Sequence, residues 1–297
     1  MITIGPEGIT KGKNNFSYRD ILNAIKYEEI ISVIPTSVRN GKLHFNINDN
    51  LVGTVSEEDL VDTRYNKHEN IEYKVGYTIN VVPVDIITKN DRQIVVCSRA
   101  LAQHKCHVNY IDSLKKGDII DAKVVNMTKC GVFCDIGCGN IALMTMNDIA
   151  MSYVNNAKDV FKNQQFIKVM IKNKEHGRIM ISMKELLGTW DDVIKEFSKG
   201  DVVVGKVILI NEYGAFIRVR YNLVGLIDRF PDDIKVNDFI SVKIDNIQNN
   251  NNRIKLSMIG RSEPVAETIK YFYNGGHIEN WSYIQGKNSN ELEYSLK

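Results

Sequence analysis

Tyr213 and Phe216 flank Gly214 closely, and Arg218 and Arg220 follow, so two aromatic rings and two guanidinium groups crowd one short stretch. Each ring offers a face on which any base can stack, worth about 1–3 kcal/mol per base. A guanidinium group forks onto phosphate oxygens. Together these are the means of holding a single nucleic-acid strand. On an extended strand Phe216, Arg218 and Arg220 share one face, while Ile217 and Val219 point the other way. Tyr213 is expected at the surface, because its hydroxyl tolerates water, with Arg253 approaching from a later strand. Lys206 and Lys255 add charge to the same region. A second copy of the step, Gly131-Val132-Phe133, stands earlier in the chain. There Cys130 replaces the first aromatic, leaving Phe133 to stack and Lys123, Lys129 and Arg178 to supply charge. A second reading stands beside this one. A Phe after a glycine in a small barrel also serves as core, and two arginines also make an ordinary solvated face.

No other constellation points to chemistry. Phosphate-loop, zinc-protease and serine-hydrolase motifs are absent, and no clustered carboxylate set suits two-metal hydrolysis. Cys130, Cys134 and Cys138 are evenly spaced, but on a strand Cys134 and Cys138 lie about 13 Å apart, too far for one ion. His104, Cys106 and His107 cluster on a helical stretch without paired-cysteine spacing. We therefore expect no enzyme, no cofactor and no metal.

The elements that must carry the aromatic step repeat with it. Gly117-Asp118-Ile119-Ile120-Asp121-Ala122-Lys123-Val124 returns as Gly200-Asp201-Val202-Val203-Val204-Gly205-Lys206-Val207. Each copy closes on a matching strand, Arg178-Ile179-Met180-Ile181-Ser182 and Arg253-Ile254-Lys255-Leu256-Ser257. A period of roughly 75–85 residues suits a small independent domain rather than a solenoid unit. Glycine before a strand permits the sharp bend a small barrel needs.

The pattern divides the 297 residues as follows. Residues 1–27 are a tail rich in Gly, Lys and Asn and a short amphipathic helix over 16–29, capped by Ser17. Residues 28–102 form a first β-rich unit, with strands at 30–34, 42–47, 52–55, 78–86 and 93–98. A helical linker at 103–115, within a helical stretch over 100–114, leads to the second unit, 116–185. A linker helix at 186–198, capped by Thr189 with Asp192 at its third position, leads to the third, 199–260. Residues 261–297 are expected to hold a short helix ending at Asn274-Gly275-Gly276 and an aromatic tail, His277 to Tyr283, packed on the third unit.

Composition narrows the class. Apolar residues make up 43% and charged residues 25%, ordinary values for a soluble chain. No run approaches the roughly 18 apolar residues of a membrane span, and the N-terminus lacks a signal-peptide pattern. Five cysteines, an odd number, do not make a disulfide framework, so a cytoplasmic location and no membrane partner are expected. The net charge of +2 is small but unevenly placed. Residues 116–184 hold about ten Lys/Arg against six Asp/Glu, and residues 26–102 about nine against eleven. Nucleic acid should favour the middle unit over the first.

The order of these motifs resembles the S1 domain, the repeat of the ribosomal protein S1 family. The third unit matches best, through Tyr213-Gly214-Ala215-Phe216, Gly225-Leu226-Ile227 and the run from Arg253 to Ser257. The first is degenerate: Asn40-Gly41-Lys42-Leu43 replaces the aromatic step and Ile94 the arginine, although Gly53 and Ser98 still fit. The family's usual histidine is replaced by Asp228 in the third unit and Thr145 in the second, and an aspartate there repels phosphate. The resemblance implies an all-β chain of three tandem OB-fold (S1-type) five-stranded barrels joined by short helical linkers. It also implies a non-enzymatic protein that binds single-stranded RNA, such as mRNA, in translation or on the small ribosomal subunit. Two other readings are a regulator of RNA decay or transcription within an RNA-processing complex, and a protein-docking role for the first unit with its acidic Glu57-Glu58-Asp59 run.

Overall fold

The computed structural model describes residues 4–9, 15–66, 69–89, 92–175, 177–265 and 267–283. Three β-units follow one another, each entered through a helix. The third is the most regular. Its strands β12 (Val202–Asn211), β13 (Gly214–Arg220), β14 (Leu223–Ile227), β15 (Phe239–Gln248) and β16 (Arg253–Arg261) close a barrel in the order β12-β13-β14-β16-β15; the labels β1 to β11 belong to the strands before it. Closure depends on one long strand serving two neighbours. Val202 to Lys206 pair with β15, and Lys206 to Asn211 pair with β13 across a bulge. The bulge supplies the bend that turns the sheet back on itself. Ile217, Val219, Leu223, Ile240, Val242, Ile254 and Leu256 fill the interior. The middle barrel repeats the plan with β7 (Ile119–Thr128), β8 (Gly131–Gly137), β9 (Asn140–Thr145), β10 (Phe166–Glu175) and β11 (Arg178–Ser182).

The first unit is a six-stranded sheet in the order β1-β5-β6-β4-β3-β2, one strand more than the sequence pattern predicts. Its members are β1 (Ile31–Val33), β2 (Ser37–Arg39), β3 (Lys42–Asn46), β4 (Val52–Ser56), β5 (Ile79–Lys89) and β6 (Arg92–Ser98). The additional strand comes from a break. β1 pairs with β5 and β2 pairs with β3, the two tasks that β12 performs unaided. Between them stands Pro35, which has no N–H for a ladder, and its carbonyl accepts instead from Gly76 N at 2.8 Å. The same barrel plan is present, with its first strand in two pieces.

Helix α1 (Tyr18–Lys26) begins with a reciprocal cap between Ser17 and Asp20, and α3 (Trp190–Ile194) with one between Thr189 and Asp192. Between them α2 (Arg99–Asn109) is capped by Ser98. The units are packed against one another rather than strung loosely. The largest apolar cluster joins the middle barrel to Ile30 and Val82 of the first unit and to Tyr221 of the third. Both junctions are made in the same way. The loop after the third strand of one barrel meets the turn between strands two and three of the next. Asn66 accepts from Ile141 N and donates to Asn140, and Ser152 N donates to the carbonyl of Tyr221. The linker completes each contact: Gln103 donates to the carbonyl of Gly139, and Asn222 donates to those of Lys184 and Gly188.

The termini depart from the sequence reading. The first fifteen residues, read from the sequence as a tail rich in Gly, Lys and Asn, include residues 4–9, which pack on the middle barrel with Glu7 buried. No helix forms among the described residues after β16; residues 262–265 and 267–283 run as an extended strap. The strap does not stay on the third unit either. Phe272 N bonds Leu186 O, Gly276 O accepts from Ile119 N, and Ile278 N bonds Gly117 O, so it crosses the linker and reaches the start of the middle barrel. It then returns, where Tyr283 donates to Asn222 O and its own carbonyl accepts from Trp190 N. The remaining tail, 284–297, lies outside the described residues. No helix among them is long and apolar enough to cross a membrane.

Candidate nucleic-acid interface

The aromatic step is built around a glycine that cannot be replaced. Gly214 has φ +135° and Gly131 φ +146°, and a Cβ there would lie 2.2 Å from Ile227 O or 2.1 Å from Met144 O. This close approach of strand two to strand three swings the following Phe onto the barrel's outer face. Phe216 lies opposite Leu209 on β12 and Leu226 on β14, and Leu226 lies beside Lys255 on β16. A row Leu209–Phe216–Leu226–Lys255 therefore crosses four strands, with Phe216 half-buried and Leu209 exposed. Tyr213 stands in the turn that joins β12 to β13, 69% exposed, its backbone N–H bonded to Asn211. The middle barrel repeats the row as Asn126–Phe133–Leu143–Met180, again with a half-buried Phe. Each ring is half-buried.

One row along the strands the picture changes. Lys206 pairs in register with Arg218, and Lys123 with Asp135. These side chains point outward, as alternation requires, but other segments cover them. Arg218 is only 3% exposed: its guanidinium forks onto Glu267 of the strap at 2.8 and 2.6 Å and lies 4.8 Å from the Tyr221 ring. Lys206 is largely covered, 3.9 Å from Asp159 of the middle barrel. Lys123 is buried and donates to the carbonyl of Glu7, and burial pushes its pKa down. Arg220 is exposed at one edge but rests over the Phe197 ring at 5.4 Å and bonds Val219 O.

The expected grouping of Tyr213 with Arg218 and Arg220 is thus corrected. Five steps along the chain at about 3.3 Å each separate Tyr213 from Arg218. Contacts with Glu267 and the carbonyl of Tyr153 draw Arg218 into a junction, whereas Arg220 stays exposed and rests on Phe197. Lys123, expected as a surface charge, likewise serves a junction. Arg253 and Lys255 are exposed on β16, and Lys129 and Arg178 are exposed on the middle barrel. Lys255 pairs with Asp228 at 2.8 Å, which holds that carboxyl below its usual range. The aspartate in the histidine's place is therefore partly neutralised by the neighbouring lysine.

Leu209, Leu226, Leu143 and Met180 join the rows although the sequence reading did not select them. Their signal lies in cross-strand register, which the order of residues along one strand does not carry.

Beside the middle row lies a buried ionic junction. Glu7 receives two hydrogen bonds from Arg99, and its backbone N–H donates to Asp135 at 2.7 Å. Burial alone would raise the Glu7 pKa, but the charges of Arg99, Lys74 and Lys123 hold it at about 2. Asp135 is pushed up to about 6 by burial and by the charge of Glu7. This cluster fastens the N-terminal segment and is closed to ligands.

The first unit has no such row. Its equivalent line is Ser37–His44–Thr54–Val96–Asp85, without a ring other than the imidazole and with a carboxylate at its end. Of the evenly spaced cysteines, Cys130 is exposed and Cys134 and Cys138 are buried, and no group of three or more metal-ligating side chains is present among the described residues.

Residues 113–184 and 196–259 match the S1 RNA binding domain. The small ribosomal subunit protein bS1 of Staphylococcus epidermidis is 27% identical over 258 residues, covering 82% of this chain and 64% of the relative. The bS1 of Staphylococcus saprophyticus is 31% identical over 189 residues, covering 57% of this chain and 48% of its own. This chain thus spans less than two thirds of the length of these relatives. Among solved structures, a multidomain protein with nucleic acid binding domains from Streptococcus pneumoniae aligns over 80% of this chain and 75% of its own at 11% identity, with a TM-score of 0.26.

Proposed function

This chain belongs to the S1 family of RNA-binding proteins, and we propose that it is a non-enzymatic, cytoplasmic protein that holds single-stranded mRNA in translation or on the small ribosomal subunit. The observation that carries the proposal is the repeated open row. Two adjacent barrels place a half-open Phe at the same register position, and the third adds the exposed Tyr213 and the exposed cations Arg253 and Lys255. Stacking tolerates any base, so such rows bind strands with little sequence preference. Two weak rows on one chain gain apparent affinity through effective concentration.

A second reading is favoured by one feature. The row of the first unit lacks a stacking platform and ends in Asp85, which suits a protein surface better than a polyanion. We propose that this unit docks on the ribosome or on an RNA-processing complex concerned with decay or transcription. Sedimentation with ribosomal subunits, with and without nuclease, separates these roles. Nuclease-resistant association supports docking through protein, nuclease-sensitive association supports attachment through RNA, and no association places the protein off the ribosome. Titration of the whole chain with labelled single-stranded RNA tests binding itself, and failure to bind overturns the proposal.

A further inference from the structure

Arg218 is a cation of the nucleic-acid face that already holds an anion. Its guanidinium forks onto both carboxylate oxygens of Glu267, at 2.8 and 2.6 Å. That planar two-bond geometry is the one with which arginine also grips a phosphate. The row in which it sits, Lys206–Arg218–Val224, adjoins the open row of Leu209, Phe216 and Leu226. On the parallel β16, Arg253 falls next to Val224 by register, since Gly225 pairs with Ile254. Three cations thus lie along one line beside the stacking ring, and the Glu267 carboxylate occupies the central one.

The segment that delivers Glu267 is held lightly there. Ser262 N bonds Phe239 O, and the next backbone bond from the strap among the described residues is at Phe272, ten positions on. Between these points Glu263, Pro264, Val265, Thr268 and Lys270 are exposed. From Ile269 onward the strap is anchored, since Ile269 and Tyr271 pack against the middle core, the Tyr271 hydroxyl accepts from Lys168 N, and Lys270 pairs with Glu196. The light hold is confined to the residues before Ile269. Few buried contacts and exposed backbone mark a segment that opens locally at low cost.

The middle barrel provides a contrast. At the position of Arg218 it carries Asp135, which is fully enclosed and bonded to the backbone of Glu7. That row is sealed and cannot receive a phosphate. The third barrel alone combines a cation at this position with a displaceable anion.

We propose that Glu267 is a phosphate surrogate: it fills a backbone-phosphate site on Arg218, and bound RNA displaces it. This rests on the reading of the open row as an RNA site. The strap thereby sets the affinity of the third barrel, since each RNA phosphate entering at Arg218 must first release the carboxylate.

The test uses the full chain and a fluorescein-labelled oligouridylate. Glu267→Gln keeps the side-chain shape and removes the charge. It should bind the oligonucleotide about fivefold tighter or more, because a charged hydrogen bond to Arg218 no longer has to be broken. Hydrogen exchange on the wild-type protein supplies an independent measure that needs no variant. Exchange at residues 267–268 should speed up when the oligonucleotide binds. Unchanged or weaker affinity in a folded Glu267→Gln protein overturns the proposal, as does slower or unchanged exchange in the strap on binding. If the wild type binds no oligonucleotide, the open-row reading itself fails. If it binds and only the Glu267 effects are absent, that reading stands and the surrogate is rejected.

Discussion

Arg99 and Glu7, 92 positions apart, form a two-bond ion pair at 2.7 and 3.0 Å, with the arginine shut off entirely from water. A third bond runs from Arg99 to the carbonyl of Leu60 at 2.9 Å. The pair joins the N-terminal segment to the start of α2, while Lys123 and Asp135 hold the same segment from the middle barrel. Breaking one side of a buried pair strands the other charge, which is costlier than losing the attraction alone.

Glu7→Gln should therefore lower stability at neutral pH by about 3 kcal/mol. The pH dependence has a definite sign. The folded-state pKa of Glu7 lies below its ordinary value of 4.5, at about 2, so its contribution is full above pH 4.5 and is lost as pH falls towards 2. The gap in melting temperature between wild type and Glu7→Gln should narrow as pH is lowered from 5 towards 3. A gap constant over that interval would show that the carboxylate charge is not what holds the junction.

Tyr213→Ala should weaken binding of single-stranded RNA by about 1–3 kcal/mol, the loss of one stacking platform. At 69% exposure the ring adds little to the core, so the melting temperature should hardly move. Fluorescence titration paired with a thermal melt reads both quantities. Loss of stability without loss of affinity would place the ring in the fold rather than in the site.

Lys255→Ala should reduce the slope of log affinity against log salt by about 0.7, the value for one phosphate contact on a single strand. Stability should be unchanged within about 0.5 kcal/mol, since the pair with Asp228 is exposed on both sides. Titrations at several salt concentrations check this, and an unaltered slope removes Lys255 from the binding face.

Gly117 and Gly200 allow a matched comparison. Both have φ +98°, so alanine strains the backbone equally at each. A Cβ at Gly117 would lie 2.3 Å from Ile278 O in the strap, whereas at Gly200 nothing lies within 4 Å. Gly117→Ala should be the more destabilising of the two, and the difference measures how firmly the strap is seated. Equal melting temperatures would mean that the strap contact contributes nothing.

The barrels could be read from the sequence because their determinants are local. The bends at Gly131 and Gly214, the alternation along β13 and the caps at Ser17 and Thr189 are each set within a few residues. The strand at Ser37–Arg39 escaped notice because Pro35 splits a strand that is continuous in the other repeats. Alternation sets Arg218 on the face opposite Ile217, which lies in the core, and Lys123 is selected for its charge. Their coverage depends on Glu267 and Glu7, partners 49 and 116 positions away, and no spacing rule carries contacts of that kind. Tyr213 keeps the surface position expected of it, and Lys255 is also exposed.

The two junctions between units reuse the same parts, a loop after the third strand and a linker set against the next barrel's turn. The two open rows are therefore held at a set distance and angle instead of swinging on a tether. For any threaded polymer the protein then acts as a ruler. Chains too short to bridge the gap occupy one row, chains just long enough occupy both, and affinity should step upward at one threshold length rather than climb evenly with each added nucleotide.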